Sequence, residues 1–241
     1  MFRAGSSDTT PHARPREPPM PDTLVLESAG LEYATDFRYH DRASKARYIA
    51  LKYGTILQGA VLDVGCDQAP LRGLVADPTR YTGVDRHPGA DFCVDLERRR
   101  LPFEERSFDT VVCTDVLEHL DRVHGVFDDL CRVARERVLV SLPNPFANFI
   151  AWIYEGRRTK FRFYGLPADP PDDRHRWFFG HDQAVAFITG RGARNGFEVE
   201  QLDAEESPAP VWRDERGVNR LDHPDFRRGT VWCLLRRAPA A

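Results

Sequence analysis

The chain has 241 residues, with 37 acidic and 34 basic side chains and a formal net charge of −3. A length on this scale corresponds to one domain with a sizeable core. The slight negative charge gives no overall attraction for nucleic acid or an anionic membrane, and the apolar runs are far shorter than the roughly 20 residues that a membrane helix needs. No signal-peptide pattern begins the chain, so we expect a cytoplasmic protein.

The first 22 residues carry prolines at positions 11, 15, 18, 19 and 21 among polar residues. Such a segment buries too little apolar surface to offset the entropy of ordering, so we predict a disordered tail (1–22) before a domain that spans 23–241. Helical spacing of apolar residues then predicts an amphipathic helix from about Asp41 to Tyr53. This helix would lie just before the first strand, in a position to cover a bound ligand.

A short buried strand that ends abruptly follows this helix. Strand one is predicted over Ala60–Val64, with Asp63 near its carboxyl end, and Gly65 opens a turn where the missing Cβ lets backbone and ligand approach closely. Pro70 suits the first turn of a helix, predicted over Pro70–Ala76. A strand, a glycine turn and a helix start form the ligand-binding corner of an open α/β sheet, because ligands bind beyond the carboxyl ends of the strands.

Strands and helical patterns alternate along the rest of the chain. Strand two is predicted over Tyr81–Asp85, and Asp85 follows Asp63 by 22 residues, close to the roughly 20-residue spacing at which a second acid binds ribose hydroxyls. The other predicted strands are Asp91–Asp95, Phe108–Thr114, Arg137–Leu142, Phe197–Leu202 and Thr230–Arg236, and the other predicted helices are Val123–Val133, Asn148–Tyr154 and His181–Gly190. This order predicts a seven-stranded, mostly parallel α/β sheet with helices on both faces.

The alternation breaks between Pro143 and Gly180, an insertion after strand five that holds 10 of the chain's 26 aromatic residues. A long ordered connection in a compact domain is usually functional. We predict that Tyr154, Tyr164 and Trp177 line a substrate pocket. The alternative is that they form a small hydrophobic cluster beside the main core. The acids, bases and aromatics in Asp172–Phe179 make His175 a candidate base, with Arg–Asp pairing that fixes the loop as the alternative.

Five cysteines, an odd number without a Cys-x-x-Cys pair, lie at positions 66, 93, 113, 131 and 233. Several of them fall in predicted strands or at strand ends. We therefore expect reduced thiols in the core rather than disulfides.

With the strands placed, the sequence resembles the class I S-adenosylmethionine-dependent methyltransferases, in particular the small-molecule branch called methyltransferase type 11. The matching residues are Val61–Leu62–Asp63–Val64–Gly65–Cys66, Gly83–Val84–Asp85, Asp95–Leu96, Leu101–Pro102–Phe103, Ser107–Phe108–Asp109 and Val116–Leu117–Glu118–His119–Leu120. The resemblance covers roughly residues 55 to 145. It implies a Rossmann-like seven-stranded sheet with its last strand antiparallel, and S-adenosyl-L-methionine as the cofactor.

The chain departs from the family pattern in the first turn. Family members usually carry two further glycines where this chain has Asp67 and Ala69. Gly65 is nearest the cofactor's amino-acid end in the pattern, so binding need not be lost. An acid close to phosphate would be repulsive, so Asp67 argues against a dinucleotide cofactor, whereas it suits an ammonium or sulfonium charge.

The resemblance implies a contact for each part of the cofactor. Asp63 would orient the methionine end, Asp85 would bind the ribose hydroxyls in a bidentate way, and Asp95 with Leu96 would meet the adenine. The complete predicted cofactor set is Asp63, Gly65, Cys66, Asp67, Asp85, Arg86, Asp95, Leu96, Thr114, Asp115 and His119. Capping of strand ends and turns is the alternative use of these acids.

His119 by resemblance faces the reaction cavity. A neutral imidazole, with an unperturbed pKa of about 6.5, is suited to act as a general base. Packing or a cofactor contact is the alternative for His119. The predicted catalytic residues are thus His119 and His175, and no metal site is predicted.

The sequence therefore predicts methyl transfer to a small molecule, with oxygen favoured as the acceptor atom because a histidine base suits a hydroxyl. This activity would serve natural-product, sugar or secondary metabolism. The residues after strand four are Thr114–Asp115–Val116–Leu117 rather than Asn-Pro-Pro-aromatic, which argues against amino-methylation of DNA bases or protein amides.

Two other classes of function stay open. One is a catalytically silent cofactor-binding or partner subunit with this fold. The other is a nicotinamide-dependent oxidoreductase, whose G-x-G-x-x-G fingerprint fails at its second and third glycines here. We expect a small-molecule acceptor and no nucleic-acid or membrane partner, and the aromatic-rich insertion can also serve a homodimer contact.

Overall fold

The structure is a computed structural model that describes residues 39–154, 163–206 and 211–239. Seven strands of this part of the chain form one sheet in the order β3-β2-β1-β4-β5-β7-β6. The strands are β1 Val61–Val64, β2 Tyr81–Asp85, β3 Phe92–Cys93, β4 Phe108–Thr114, β5 Ala134–Leu142, β6 Phe197–Glu206 and β7 Arg228–Arg237. The predicted tail, residues 1–22, lies outside the described residues.

The sheet is parallel except for β7, which runs antiparallel to both β5 and β6. The strand order reverses between β1 and β4, whose register pairs Val64 with Cys113. Ligands of open α/β sheets bind at such a reversal, beyond the carboxyl ends of the strands. The predicted sheet is confirmed, and its topology brings Gly65 and Thr114 to the same edge.

Helices cover both faces of this sheet, as predicted. They are α1 Arg42–Tyr53, α2 Val123–Val133, α3 Pro145–Tyr154, α4 His181–Arg194 and α5 Pro224–Arg227. Neighbouring residues of β1 point to opposite faces, so that Leu62 packs in the core with α2 and α4, while Val61 packs in the core with α1 and Trp232. Both cores are made of buried apolar side chains.

Helix α1 begins where the sequence predicts it. The Asp41 side chain accepts a hydrogen bond from the Ser44 backbone amide at 2.7 Å, and the Ser44 hydroxyl in turn accepts one from the Asp41 amide at 3.1 Å. This reciprocal capping box satisfies amide groups that lack partners within the helix. The apolar side of α1 buries Ala46, Ile49 and Tyr53.

The helix predicted over Pro70–Ala76 is wrong. This segment holds a 3₁₀ turn at Arg72–Leu74, and a second one follows at Pro78–Arg80. Asp67 and Ala69 both have left-handed φ angles, 51° and 52°, which a right-handed helix cannot include. Pro78 disfavours helical backbone at the residue before it, so too few residues remain for an α-helix.

Several other boundaries shift. Strand β3 has only two residues, whereas β5, β6 and β7 extend beyond their predicted ends, because β6 and β7 pair with each other along nearly their whole length. Helix α3 begins at Pro145, where proline suits the first helical position. Helix α4 continues to Arg194.

The insertion between β5 and α4 consists of α3 and, after the residues outside the described set, a loop over 163–180. This loop is tied to the segment after β4. The Arg176 amide donates to the Glu118 carbonyl at 2.7 Å, and the Trp177 indole donates to the Leu120 carbonyl at 2.8 Å. This part of the loop therefore lies against the segment that follows β4.

The five cysteines are free thiols, four of them buried and Cys93 exposed. Cys93 thus lies outside the core that was predicted for these thiols. Among the described residues, every helix is too short or too polar to cross a membrane.

Candidate functional site

Gly65 forms the turn at the end of β1. Its φ is +81°, and its amide donates to the Val84 carbonyl at 2.8 Å. A Cβ at this position would collide with Cγ2 of Val116. Only glycine fits here, because an L side chain would combine left-handed strain with that collision.

The same turn keeps a glycine-type backbone at two positions that carry side chains. Asp67 and Ala69 have φ angles of 51° and 52°, a conformation that costs a residue with a Cβ roughly 1–2 kcal/mol. The departure from the family pattern therefore changes the side chains of the turn and not its path.

Asp85 is held at the carboxyl end of β2 by two backbone amides. Its Oδ2 accepts from the Asp67 amide at 2.9 Å, and its Oδ1 accepts from the His87 amide at 3.1 Å. A carboxylate has about four acceptor positions, so each oxygen retains one for a ligand. The carboxylate is half-buried and faces the turn after β1.

Asp63 is buried, and the Tyr81 hydroxyl donates to its Oδ2 at 2.6 Å. Burial raises the pKa of Asp63 to about 6, although the Tyr81 hydrogen bond and the nearby Lys45 ammonium act in the opposite direction. Sequence analysis missed Tyr81 as a partner, because this pairing depends on the register of β1 against β2.

Helix α1 borders a small recess at the switch point between β1 and β4. The recess is lined by α1 and by the ends of β1 and β4, at Arg42, Lys45, Ala46, Ile49, Asp63, Gly65, Cys66, Pro70, Leu71 and Thr114. Arg42 pairs with Asp67 at 3.2 Å. The structure thus places α1 where the sequence predicts it, beside the glycine turn.

Asp115, directly after β4, is the most strongly held acid of this edge. Its Oδ2 lies 2.5 Å from the Lys45 ammonium, and its Oδ1 accepts from the Ser141 hydroxyl at 2.7 Å. Burial would raise the pKa of Asp115, but the Lys45 charge and these two hydrogen bonds outweigh it and lower the pKa. Its φ of 53° turns the chain away from the strand. Sequence analysis did not identify Lys45.

The remaining predicted cofactor residues are more scattered. Asp95 is exposed, accepts from the Glu97 amide at 3.0 Å and pairs with Arg98 at 3.2 Å. These contacts correspond to the capping role that was the alternative to adenine binding. Leu96 is buried and Arg86 is exposed. Burial raises the pKa of the Cys66 thiol to about 12, so this thiol stays protonated.

A second group of polar side chains lies just past the end of β4, where His119 meets His175 of the insertion loop. The ring centroids are 4.6 Å apart with the ring planes at 89°. Nε2 of His119 lies 3.7 Å from Oε1 of Glu118, whose side chain is buried. The two predicted catalytic histidines are therefore brought together although 56 residues separate them in sequence (175 − 119). Sequence analysis missed Glu118 as a site residue, although the family match included it.

The Nδ1 atom of each ring lies close to a polar side chain. His175 Nδ1 lies 2.9 Å from the Tyr164 hydroxyl, and that hydroxyl donates to the Trp177 carbonyl at 2.9 Å. A hydroxyl has one proton, so His175 Nδ1–H must be the donor to Tyr164, which leaves the lone pair on Nε2. His119 Nδ1 lies 2.7 Å from Oδ1 of Asp173, with its N–H direction off the line of a hydrogen bond.

Burial and the neighbouring His119 lower the pKa of His175 to about 4. His175 is therefore a neutral imidazole at neutral pH. Burial, with a smaller contribution from the Asp115 charge, raises the pKa of Glu118 well above its usual range.

Two of the three predicted substrate residues belong to the contacts that fix the loop. Tyr164 joins His175 to the Trp177 carbonyl, and Trp177 donates to Leu120 while its ring stays 40% exposed. The side chain of Tyr154 lies outside the described residues. A pocket wall made by these three residues stays a prediction.

Comparison with known proteins gives one family match. The model of the methyltransferase domain family matches residues 62–141, the stretch from β1 to β5. A search of curated proteins finds no match.

Solved structures with the same fold are numerous and distant in sequence. A SAM-dependent methyltransferase from Archaeoglobus fulgidus is 16% identical, with 83% of this chain and 96% of that chain covered and a TM-score of 0.51. A protein from Pyrococcus horikoshii OT3 is 15% identical, with coverages of 84% and 94% and a TM-score of 0.52. The [4+2]-cyclase SpnF is 14% identical, with coverages of 86% and 87% and a TM-score of 0.52. At these identities the likeness concerns the fold alone.

Proposed function

We propose that the chain, whose residues 62–141 match the methyltransferase domain family, uses S-adenosylmethionine to methylate a hydroxyl group of a small molecule. The observation that carries this proposal is the switch-point edge, where the Gly65 turn borders α1 and the Asp85 carboxylate accepts from the Asp67 amide of the same turn. When bound, S-adenosylmethionine supplies an electrophilic methyl carbon on a sulfonium centre.

The residues present fit this cofactor. The Gly65 turn leaves open the space that a Cβ would fill, and Asp85 has acceptor positions free for a vicinal diol. The further acids Asp63, Asp67 and Asp115 line or flank the same edge. Carboxylates suit a cationic ligand and repel phosphate, so the site supports a sulfonium cofactor over a dinucleotide.

Each of these residues then has a binding task. Asp85 would hold the ribose, Asp63 the amino-acid end through the backbone of the turn, and α1 would exclude water from one side through Ile49 and Ala46. Much of the rate enhancement comes from positioning alone when the methyl donor and the acceptor are aligned and held about 3–3.5 Å apart. The protein's main task is therefore orientation.

The acceptor would lie on the side of His119 and His175, beneath the insertion loop. His175 Nδ1–H donates to Tyr164, which leaves Nε2 of His175 as a proton acceptor. Burial disfavours the charged form of His175, so His119 is the proposed proton acceptor for a hydroxyl. Residues 143–180 would form the substrate side of the domain.

The first test separates cofactor classes by thermal unfolding of the full chain. At 100 times its dissociation constant, a ligand that binds only the folded protein stabilises it by about 2.7 kcal/mol. We expect this from S-adenosylhomocysteine and not from NAD; stabilisation by NAD alone would contradict the proposal.

The second test asks for transfer of a labelled methyl group to a panel of phenols and sugar hydroxyls. His119→Ala should lower turnover far more than cofactor affinity, with His40→Gln, an exposed histidine outside the site, as the control. Normal cofactor binding without transfer to any acceptor would favour the silent subunit, a class that the left-handed Asp67 and Ala69 keep open.

A further inference from the structure

We propose that Glu118, His119 and His175 form a binding site for one divalent transition-metal ion of the zinc and iron class. Each residue offers one ligand atom, and the three atoms lie within 4.8 Å of one another. Two imidazoles and one carboxylate are a ligand set that such ions prefer. The site deepens the proposed function at the same cluster, but it is argued from the side chains alone.

The two imidazole rings border the same space. They meet edge to face at 89° with their centroids 4.6 Å apart, so their nitrogen atoms can approach a common point beside Glu118. With ligand distances of roughly 2.0–2.2 Å, the ligand atoms of a bound ion lie about 3–3.5 Å apart. Binding would therefore bring the three ligand atoms closer together than the 4.8 Å within which they now lie, a movement that the loop over 163–180 would supply.

Both histidines have a polar side chain beside Nδ1. Tyr164 accepts from His175 Nδ1–H, and Asp173 lies 2.7 Å from His119 Nδ1. Metal-binding histidines almost always have a carboxylate, carbonyl or similar partner at the second ring nitrogen, which fixes the ring and the tautomer. The lone pair of His175 is thus left on Nε2, and Asp173 is placed to accept from His119 Nδ1–H once the ring turns.

Glu118 provides the independent sign of a missing cation. Its side chain is 1% exposed, and its Oε2 atom makes no hydrogen bond to any described residue. A buried carboxyl oxygen without a hydrogen-bond partner is costly. Lys45, whose charge acts on Glu118, is engaged by Asp115 at 2.5 Å. A metal ion between Glu118 and the two rings would satisfy this carboxylate.

A second cluster of comparable residue types serves as a comparison. Asp182, His223 and Asp225 also offer ligand atoms within 4.8 Å, but Asp182 and His223 are exposed and the set has only one imidazole. Exposed acids of this kind are already hydrated. This cluster carries no proposal and is used below as a control.

An ion bound by two imidazoles and one carboxylate keeps open coordination positions. An oxygen acceptor bound there would have a lower pKa. Its proton would pass to solvent, because His119 as a ligand would no longer be free to accept it. This last step depends on the proposed function, whereas metal binding itself does not.

The test is a titration of the metal-free full chain with Co²⁺ in the presence of excess Mg²⁺. Binding is measured by calorimetry and by the visible absorption of the bound ion. We expect one Co²⁺ per chain, displaced by Zn²⁺, with absorption typical of nitrogen and oxygen ligands. Glu118→Gln and His175→Gln should each weaken binding at least tenfold. The matched controls His40→Gln and His223→Gln should bind as the wild type does.

Absence of Co²⁺ binding by the wild type would overturn the proposal, as would weakening by His223→Gln with no effect of His175→Gln. The thermal shift with S-adenosylhomocysteine, measured without metal, shows that each variant is folded. Because Co²⁺ binding is measured without cofactor and methyl transfer is measured by the labelled methyl group, failure of metal binding and failure of the proposed function are distinguished.

Discussion

The Lys45 ammonium on α1 lies 2.5 Å from Oδ2 of Asp115, which follows β4, and this ion pair joins two segments 70 residues apart. The contact fixes α1 at the carboxyl edge of the sheet and places a cation between two acids, Asp63 and Asp115, whose charges it stabilises. It thereby shapes one wall of the recess.

Removal of this cation should destabilise the protein. We expect Lys45→Met to lower the free energy of unfolding by about 1–2 kcal/mol, because Asp115 loses a charged hydrogen-bond partner in a partly exposed position. Arg47→Met, an exposed position on the same helix, should have little effect. A double-mutant cycle with Asp115→Asn measures the coupling; additive effects would contradict the pairing.

The turn at Gly65 should tolerate no side chain. Gly65→Ala combines a left-handed backbone with a collision against Val116, so we expect a loss of at least about 2 kcal/mol in the free energy of unfolding and loss of S-adenosylhomocysteine binding. Gly190→Ala, at an exposed and unobstructed position of α4, should instead stabilise by about 0.5–1 kcal/mol. Equal effects in denaturant titrations would refute the steric argument.

The protein should gain stability when a side chain is removed from a left-handed position of this turn. Ala69→Gly should raise the free energy of unfolding by about 1 kcal/mol, because glycine adopts a φ of 52° without strain. The same substitution at Ala186, exposed in α4, should lower it by about 1 kcal/mol. Urea unfolding of both variants checks the opposite signs; a loss at both positions would count against strain at Ala69.

Asp63 should make stability depend on pH. Its pKa is about 6 in the folded protein against 3.8 as the ordinary value, so the stabilisation is complete below about pH 3.8 and is lost as the pH rises through 6. Asp63→Asn removes this titration and still accepts from Tyr81. The variant should therefore gain about 2 kcal/mol relative to the wild type between pH 4.5 and pH 7.5. If the difference in unfolding free energy between the variant and the wild type were constant across this pH range, the raised pKa of Asp63 would be wrong.

Asp85 should control cofactor affinity. Asp85→Ala removes the carboxylate that two amides hold in place, and a charged hydrogen-bond pair is worth roughly 1.5–3 kcal/mol. The dissociation constant of S-adenosylhomocysteine should rise tenfold or more in calorimetry, and Asp85→Asn, which keeps one acceptor, should fall between. Unchanged affinity would retire the ribose assignment.

Local patterns were enough to place the residues at the carboxyl ends of the first strands. Apolar runs that end in an acid or a glycine define β1, β2 and β4, and each depends only on neighbouring residues, so Asp63, Gly65 and Asp85 could be found without coordinates. The helix predicted after Pro70 failed because two side chains in left-handed conformation, Asp67 and Ala69, precede it. Single-residue φ angles of this kind carry no signal in apolar periodicity.

The sequence by itself determined the alternating order of strands and helices and the acids at the carboxyl ends of β1 and β2. It also determined the resemblance to a family that these residues indicate. Only the tertiary structure decided that Lys45 meets Asp115, that Tyr81 holds Asp63, and that His175 reaches His119 beside a buried Glu118. The physical reason is that these contacts join segments distant along the chain. Their positions follow from strand register and from how the loop over 163–180 packs on the end of β4, and neither is encoded in the spacing of neighbouring residues.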